Sequence, residues 1–401
     1  MLDLLKDIRI VSFNHFLMGP LGIQTLADMG ADVICVEALS GGFQRRFGGA
    51  RTFIDGDGCS FHLAGRNKRN IALNLKHRTG VEIARDLIHR ADVVTENFRP
   101  GVMDRLGLGY QALKASQPEL IYAAATGFGS AGPGAHRPGQ DLLIQALSGL
   151  AMISGTHTSG PRPVGVSIAD HHGAALYALG ILGALLRRER TGKGCFVDVD
   201  LMSAAIDLQV ESFVCYGNGD YQGSLLSPEY IGGWYNGAPY GLYPTQDGYI
   251  VISHCDLSKL ADGLDLPRLK SYVDTDLFDH REAVAGMIAG KTATIPSGQV
   301  LDTLKSLDIW CAPVNDYDTV LSDPQVRYNH NFITAESARG TPITLVNHPV
   351  RYDGEHAEMR LPPQPLGAQT AEILAELGWD APAIAGLVQD EIVYIDNSTG
   401  G

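Results

Sequence analysis

The sequence predicts an α/β protein: a parallel, doubly wound sheet built first, then a smaller α+β domain. Through the first third, apolar runs of strand length alternate with stretches of helix length, the pattern of strands covered on both faces by crossover helices. Near Gly217 the composition shifts, and until about Tyr243 the chain is rich in Gly, Ser, Pro and Tyr, as a linker and active-site loop would be. At 401 residues the chain also exceeds one typical hydrophobic core, so two domains are expected.

Taken in order, Ile8–Phe13 is a strand, Asn14 to Pro20 a turn-like segment, and a helix then runs to about Met29 and is closed by Gly30. Val33–Val36 is the next buried strand. Arg66-Asn67-Lys68-Arg69 precedes a short strand ending at Lys76, the helix Val81–Arg90 leads into the strand Val93–Thr95, and Leu120–Ala125 is another strand. Ala174 to Leu186 carries no charge and ends in Arg187-Arg188-Glu189-Arg190, then Thr191-Gly192-Lys193-Gly194: a buried helix with a basic last turn and a glycine stop. It feeds a strand at Phe196–Leu201 and a helical Ser203–Val210. Gly241–Ser253, turning at Gln246-Asp247-Gly248, is a hairpin that opens the smaller domain, with helices at Arg281–Ala289 and Val300–Leu307. Past Gln325, several β-like runs and the helix Thr370–Leu377 return to the first domain. The expected division is 1–220 for the first part of the large domain, 221–325 for the small one and 326–401 for the return.

Composition narrows the function. A net charge of −14 argues against a nucleic-acid partner or an anionic membrane surface. The first residues, Met1 to Asp7, carry acids where a signal peptide would carry bases, and no apolar stretch reaches membrane-span length. Six scattered cysteines (Cys35, Cys59, Cys195, Cys215, Cys255 and Cys311) lack paired spacing, which suits free thiols in a reducing cytoplasm.

Several motifs have bland explanations. Gly127-Phe128-Gly129-Ser130-Ala131-Gly132 has the dinucleotide spacing, but Pro133-Gly134 and His136-Arg137-Pro138 follow, so no helix can start on the third glycine to receive a pyrophosphate. Gly286 to Thr292 is one residue short of a phosphate-binding loop, and Gly290 is better placed to stop a helix. His171 and His172 are adjacent and point apart on a helix, and no other cluster has metal spacing, so no metal is expected. Arg66, Lys68, Arg69, Arg99 and Arg105 are either solvated surface charge or a basic rim where an anionic nucleotide would lie at the strands' carboxyl ends.

Asp170, in Gly165-Val166-Ser167-Ile168-Ala169-Asp170-His171-His172-Gly173, stands just before the apolar helix. Free backbone N–H groups and the helix dipole would hold its carboxylate ionised and oriented. Those properties suit an ordinary N-cap and a nucleophile alike.

Together the motifs resemble the class III CoA-transferases, the family of formyl-CoA transferase and carnitine CoA-transferase. The resemblance runs nearly end to end. It is carried by Gly19-Pro20; Leu26-Ala27-Asp28-Met29-Gly30-Ala31-Asp32; Asn67-Lys68-Arg69; Glu96-Asn97-Phe98-Arg99-Pro100-Gly101; Thr126-Gly127-Phe128-Gly129; and Gly139-Gln140-Asp141-Leu142-Leu143. Ile168-Ala169-Asp170, Arg190-Thr191-Gly192-Lys193-Gly194, Cys311-Ala312-Pro313-Val314-Asn315 and Asp323-Pro324-Gln325-Val326 complete it. The resemblance implies a Rossmann-like large domain from both chain ends, an inserted small domain, and a homodimer of two interlocked rings. It implies acyl-CoA and a carboxylic acid as substrates, no permanently bound cofactor, and Asp170 as the covalent nucleophile. By position, His15, Phe16, Leu17, Leu73, Asn74, Lys76, Asn97, Phe98 and Arg105 match residues around CoA. Gln140 and the loop of Gly232, Gly233 and Trp234 match the acceptor side.

Two positions depart from the family pattern. Formyl-CoA transferases carry glutamine where Leu17 stands, so backbone N–H groups would have to stabilise the oxyanion. At Gln140 many members have tyrosine, and the related 2-methylacyl-CoA racemases have histidine. A racemase could use Asp170 and Asp256 as acids, yet glutamine cannot act as a base. The alternatives to a transferase are thus a racemase and a CoA-binding subunit without chemistry.

Overall fold

The structure, a computed structural model, describes residues 2–396. The chain forms two compact units: one from its start to Ile144, Ser167–Ala205 and Pro324 onward, the other from Gln145–Val166 and Ile206–Asp323. The main segment of the smaller unit begins at Ile206 where the sequence suggested 221, and the unit also takes in an earlier segment, Gln145–Val166, with no compositional mark.

The larger unit is built on a seven-stranded sheet. Its order is Val393–Tyr394, Lys68–Leu73, Asp32–Glu37, Arg9–Phe13, Val93–Glu96, Ile121–Thr126 and Phe196–Asp200. All pairings are parallel except the two-residue edge strand Val393–Tyr394, which runs antiparallel to Lys68–Leu73. A short antiparallel edge on a parallel sheet limits further pairing with other chains. Successive residues face opposite sides, so Ile10 packs under the helices Met18–Asp28 and Ile168–Thr191, and Val11 under Arg78–His89.

The long helix begins at Ile168, earlier than the apolar run suggested, and ends at Thr191, where Gly192 adopts φ 66° and donates to the Arg188 carbonyl. It is not buried all round: Leu179 is 64% exposed and Leu186 48%. Along Met18–Asp28 it packs very closely. A Cβ on Gly22 would lie 2.8 Å from the Ala174 carbonyl oxygen, and one on Gly173 would lie 3.0 Å from the Met18 side chain. The two helices therefore run alongside each other with their amino ends together.

The smaller unit holds a three-stranded antiparallel sheet, ordered Cys311–Pro313, Tyr249–Ile252 and Gly241–Pro244. Tyr243, Ile250, Leu260, Val284, Ile288 and Leu304 fill its core. The helix Arg281–Thr292 passes straight through Gly290, so that glycine does not stop it. After the smaller unit, Phe332–Glu336 and Pro342–Val346 form a hairpin.

Candidate active site

The strands Arg9–Phe13 and Val93–Glu96 are parallel neighbours, with Phe13 opposite Glu96, so the residues after both emerge together at the sheet's carboxyl edge. There His15 and Asn97 form a reciprocal pair. The His15 N–H donates to Asn97 Oδ1 at 2.8 Å, and Asn97 Nδ2 donates to the His15 carbonyl at 2.6 Å. The His15 ring stacks obliquely between Phe98 (5.3 Å) and Phe16 (4.7 Å), and Phe16 meets Phe43 at 5.0 Å. Burial holds the His15 ring below its usual pKa. Phe16 has φ 62°, a left-handed conformation that costs a non-glycine residue about 1–3 kcal/mol. The Gln44 side chain accepts its N–H at 3.3 Å. Leu17 follows as the N-cap of the helix Met18–Asp28 and supplies no side-chain cap. Phe16 remains half exposed, so the edge carries an apolar, aromatic face.

Asp170 reaches this edge from the long helix. It is the third helical residue and not the N-cap, a place taken by Ser167, whose side chain makes no capping bond. The free N–H groups are met instead by Asp141: its Oδ1 accepts from Ala169 N at 2.8 Å and Asp170 N at 3.2 Å. The Asp170 carboxylate is thereby left for other partners, and the nearby backbone N–H of Met18, at the head of the neighbouring helix, favours its charged form. Its pKa is pushed up to about 6, chiefly by burial and then by the charge of Asp141. The expectation of a carboxylate stabilised by its own helix end is corrected here. One helix face below, Tyr177 Oη donates to the Ala123 carbonyl at 2.6 Å and pins this helix to the sheet.

Other expected site residues fall in varied settings. The Leu73 side chain lies in the core, so only its backbone can face a ligand. Asn74 donates to the Glu391 carbonyl and accepts the Lys76 N–H, leaving the Lys76 side chain exposed; Arg105 is exposed at the end of the helix Val102–Arg105. Gln140 is exposed immediately before Asp141. In the smaller unit the Gly232 N–H donates to the Tyr240 carbonyl, and Gly233 has φ 144°, which favours glycine. Trp234 is 2% exposed, donates its indole N–H to Ser212 Oγ at 2.8 Å and stacks on Tyr221. Its ring braces the loop from inside the unit. Asp256 caps the helix Leu257–Gly263.

The basic run is not a nucleotide rim. Lys68 opens its strand, so Arg66 to Arg69 lie at the amino end. There Arg66 pairs with buried Asp28 at 2.6 Å, and Arg69 pairs with Asp32, Glu372 and Glu376. Lys68 is buried and donates to the carbonyls of Pro20 and Ala64.

Asp141 and Glu96 were not singled out by the sequence. Glu96 ends its strand, accepts the Phe98 N–H at 2.7 Å, and has its pKa raised to about 7, mainly by burial. The link between Asp141 and Asp170 depends on glycines. A Cβ on Gly127 would lie 2.6 Å from the Gly139 Cα, so the strand end at Thr126 and the start of the helix Asp141–Leu147 cross in direct backbone contact. Among the described residues no three His, Cys, Asp or Glu side chains gather as a metal site, and no helix is long and apolar enough to cross a membrane.

Residues 5–370 match the model of CoA-transferase family III. The chain is 30% identical over 406 residues to the succinyl-CoA:glutarate CoA-transferase of Mus musculus, covering 97% of this chain and 90% of that protein. It is 33% identical to the succinyl-CoA:mesaconate CoA-transferase of Haloarcula hispanica, covering 86% of this chain and 89% of that one. The crystal structure of a CaiB/BaiF family protein from Brucella suis superposes with a TM-score of 0.80 at 29% identity, over 93% of this chain and 98% of that one. The chain belongs to CoA-transferase family III: it is a class III CoA-transferase, exchanging CoA between acyl-CoA thioesters and carboxylic acids.

Proposed function

We propose that the transfer runs through covalent catalysis at Asp170. The observation that carries this is a half-buried carboxylate at the sheet's carboxyl edge, freed from capping its own helix by Asp141 and with no arginine or lysine partner among the described residues. With a pKa near 6 it is ionised at neutral pH yet more basic than an ordinary aspartate. An Asp170 oxygen attacks the thioester carbonyl and expels CoA thiolate, leaving an acyl-aspartyl anhydride. The thiolate attacks the aspartyl carbonyl and releases the donor acid, giving an aspartyl-CoA thioester. The acceptor carboxylate then displaces the thiolate to form a new anhydride. The thiolate attacks its acyl carbonyl, which yields the product acyl-CoA and frees Asp170. Each intermediate keeps the thioester's free energy as long as water is excluded.

In this proposal His15, Phe16, Leu17, Asn97 and Phe98 take the thiol arm along the aromatic edge. Leu73, Asn74, Lys76 and Arg105 take the nucleotide, with the two cations on its phosphates. Gln140 serves the acceptor in the larger unit, and within the smaller unit the Gly232–Gly233 loop is stiffened by Trp234. In this reading the acceptor is a small dicarboxylic acid and the donor succinyl-CoA, which relatives named for glutarate and mesaconate support. The interlocked dimer belongs to the same proposal: Leu179 and Leu186 on the long helix and Val210, Phe213, Val214 and Tyr216 on the helix Val210–Asn218 are exposed apolar side chains that a partner chain would cover.

The test is a mass-spectrometric exchange screen of acyl-CoA and dicarboxylate pairs, with hydroxylamine trapping. A hydroxamate on Asp170 in the presence of donor is expected. Its absence from an enzyme that exchanges CoA would remove the covalent role, and α-proton exchange without any acceptor acid would point to the racemase branch.

A further inference from the structure

Nothing in the proposed cycle assigns a task to Asp141, yet the structure ties it to both Asp170 and Gln140. Its side chain is buried, at 6% exposure, and one oxygen, Oδ1, receives two backbone N–H groups, those of Ala169 and of Asp170 itself. Its own backbone follows Gln140 directly and opens the helix Asp141–Leu147, with the Gln140 carbonyl accepting from Ile144 N. The backbone of the nucleophile and that of the acceptor-side residue are thus joined through one carboxylate. A side chain on either crossing glycine, Gly127 or Gly139, would force apart the backbone two residues before Asp141.

Two consequences follow from capping by another segment. An aspartate in a helix's first turn ordinarily turns back to its own free N–H groups. Here those groups are occupied by Asp141, so the Asp170 carboxylate is not drawn back onto its own helix end. The bonds also bring a second negative charge close to Asp170, and a like charge disfavours ionisation and makes the carboxylate more basic. The groups acting on Asp170 are Asp141, His171 on its own helix and the Met18 N–H on the packed helix.

We propose that Asp141 is the positioning residue of the nucleophile: it caps the helix in place of Asp170, keeps that carboxylate free for substrate, and fixes it relative to Gln140. The inference rests on Asp170 being the nucleophile and deepens that assignment.

Asp141→Asn and Asp141→Ala, with the wild type, test it. Asn keeps an oxygen that can accept both N–H groups but loses the charge; Ala loses both. For D141N, kcat is expected to stay within about tenfold of wild type, and the acid limb of the pH profile of kcat/KM to move to lower pH by roughly half a unit or more. For D141A, kcat is expected to fall about 10²-fold with KM little changed, as misplacement of a reacting group would do. A purely structural role would lower kcat only in proportion to the folded fraction, with KM unchanged, and would leave the limb in place, so kcat is referred to the folded enzyme measured by circular dichroism. Wild-type kcat in D141A, or an unmoved limb in an active D141N, overturns the proposal. Should D141A fail to fold, the limb in D141N decides alone. Hydroxylamine trapping on the wild type separates the two levels: no hydroxamate on Asp170 removes the nucleophile, whereas a hydroxamate with an unmoved limb removes only the role of Asp141.

Discussion

Two regions of the larger unit hold buried carboxylates and surround them in opposite ways. Around the strand Asp32–Glu37 each acid has a guanidinium: Glu37 meets Arg45 at 2.7 Å, and Asp28, at the end of the preceding helix, meets Arg66 at 2.6 Å. Glu37 also accepts from Asn70 and from the Gly42 N–H, and its pKa is held below the usual range despite its burial. At the carboxyl edge by His15 and Asn97, neither Asp170 nor Glu96 has a cationic partner among the described residues, and both are pushed up, to about 6 and about 7. The first arrangement stores stability in paired charge. The second gives up some of it at the proposed nucleophile, the trade expected of a catalytic centre.

Substitutions can break this contrast from either side. The largest effect is expected for Asp170→Ala, which should lower CoA exchange by at least about 10³-fold while leaving the circular-dichroism spectrum unchanged. Exchange at the wild-type rate would move the chemistry elsewhere. Arg66→Ala leaves Asp28 buried without its partner and should cost about 3–5 kcal/mol in urea denaturation, with specific activity of the folded fraction preserved. Asp170→Asn should do the reverse. Because the folded-state pKa of Asp170 lies above the ordinary aspartate value of 3.8, its contribution to stability is complete below that pH and is lost as pH rises through about 6. The Asn variant should therefore be more stable than wild type at pH 8, by up to about 3 kcal/mol, and equal to it at pH 3.5. Glu37 has the opposite sign: its lowered pKa contributes stability above 4.5 that is lost as pH falls through the folded value, so Glu37→Gln should destabilise at pH 7. The smallest change is in the wild-type pH profile, where kcat/KM should rise through an apparent pKa near 6 and then level off. A midpoint near 4 would mean that the free enzyme does not hold Asp170 in a desolvated niche.

The same contrast marks what could be seen in the sequence. Strands such as Val93–Glu96 and Ile121–Thr126 are continuous apolar runs, and the uncharged helix after Asp170 is unmistakable, so the alternation of the sheet was legible. The N-cap role misassigned to Asp170 depends on a carboxylate 28 and 29 residues away from the N–H groups it meets, a separation no local pattern encodes. Arg66-Asn67-Lys68-Arg69 looked like a phosphate-binding rim because its partners, Asp28, Asp32, Glu372 and Glu376, are scattered along the chain. Trp234 was matched to the acceptor side through the family resemblance; that its ring faces inward depends on Ser212, which precedes the composition change. For Asp170 and the basic run, a local signal was overruled by a distant charge.

The contact of Gly127 with Gly139 makes 128–138 a closed excursion, its two ends touching while its own groups pack it: Arg137 lies over the Phe128 ring at 5.1 Å, and Ser130 is tied to Asp198. A loop already closed at its base can lengthen at small entropic cost, about 0.6 kcal/mol for each doubling. Its tip is therefore the natural point for inserting a fluorescent or affinity tag beside the catalytic edge, because residues added there leave the crossing, and the Asp141 carboxylate beyond it, where they are.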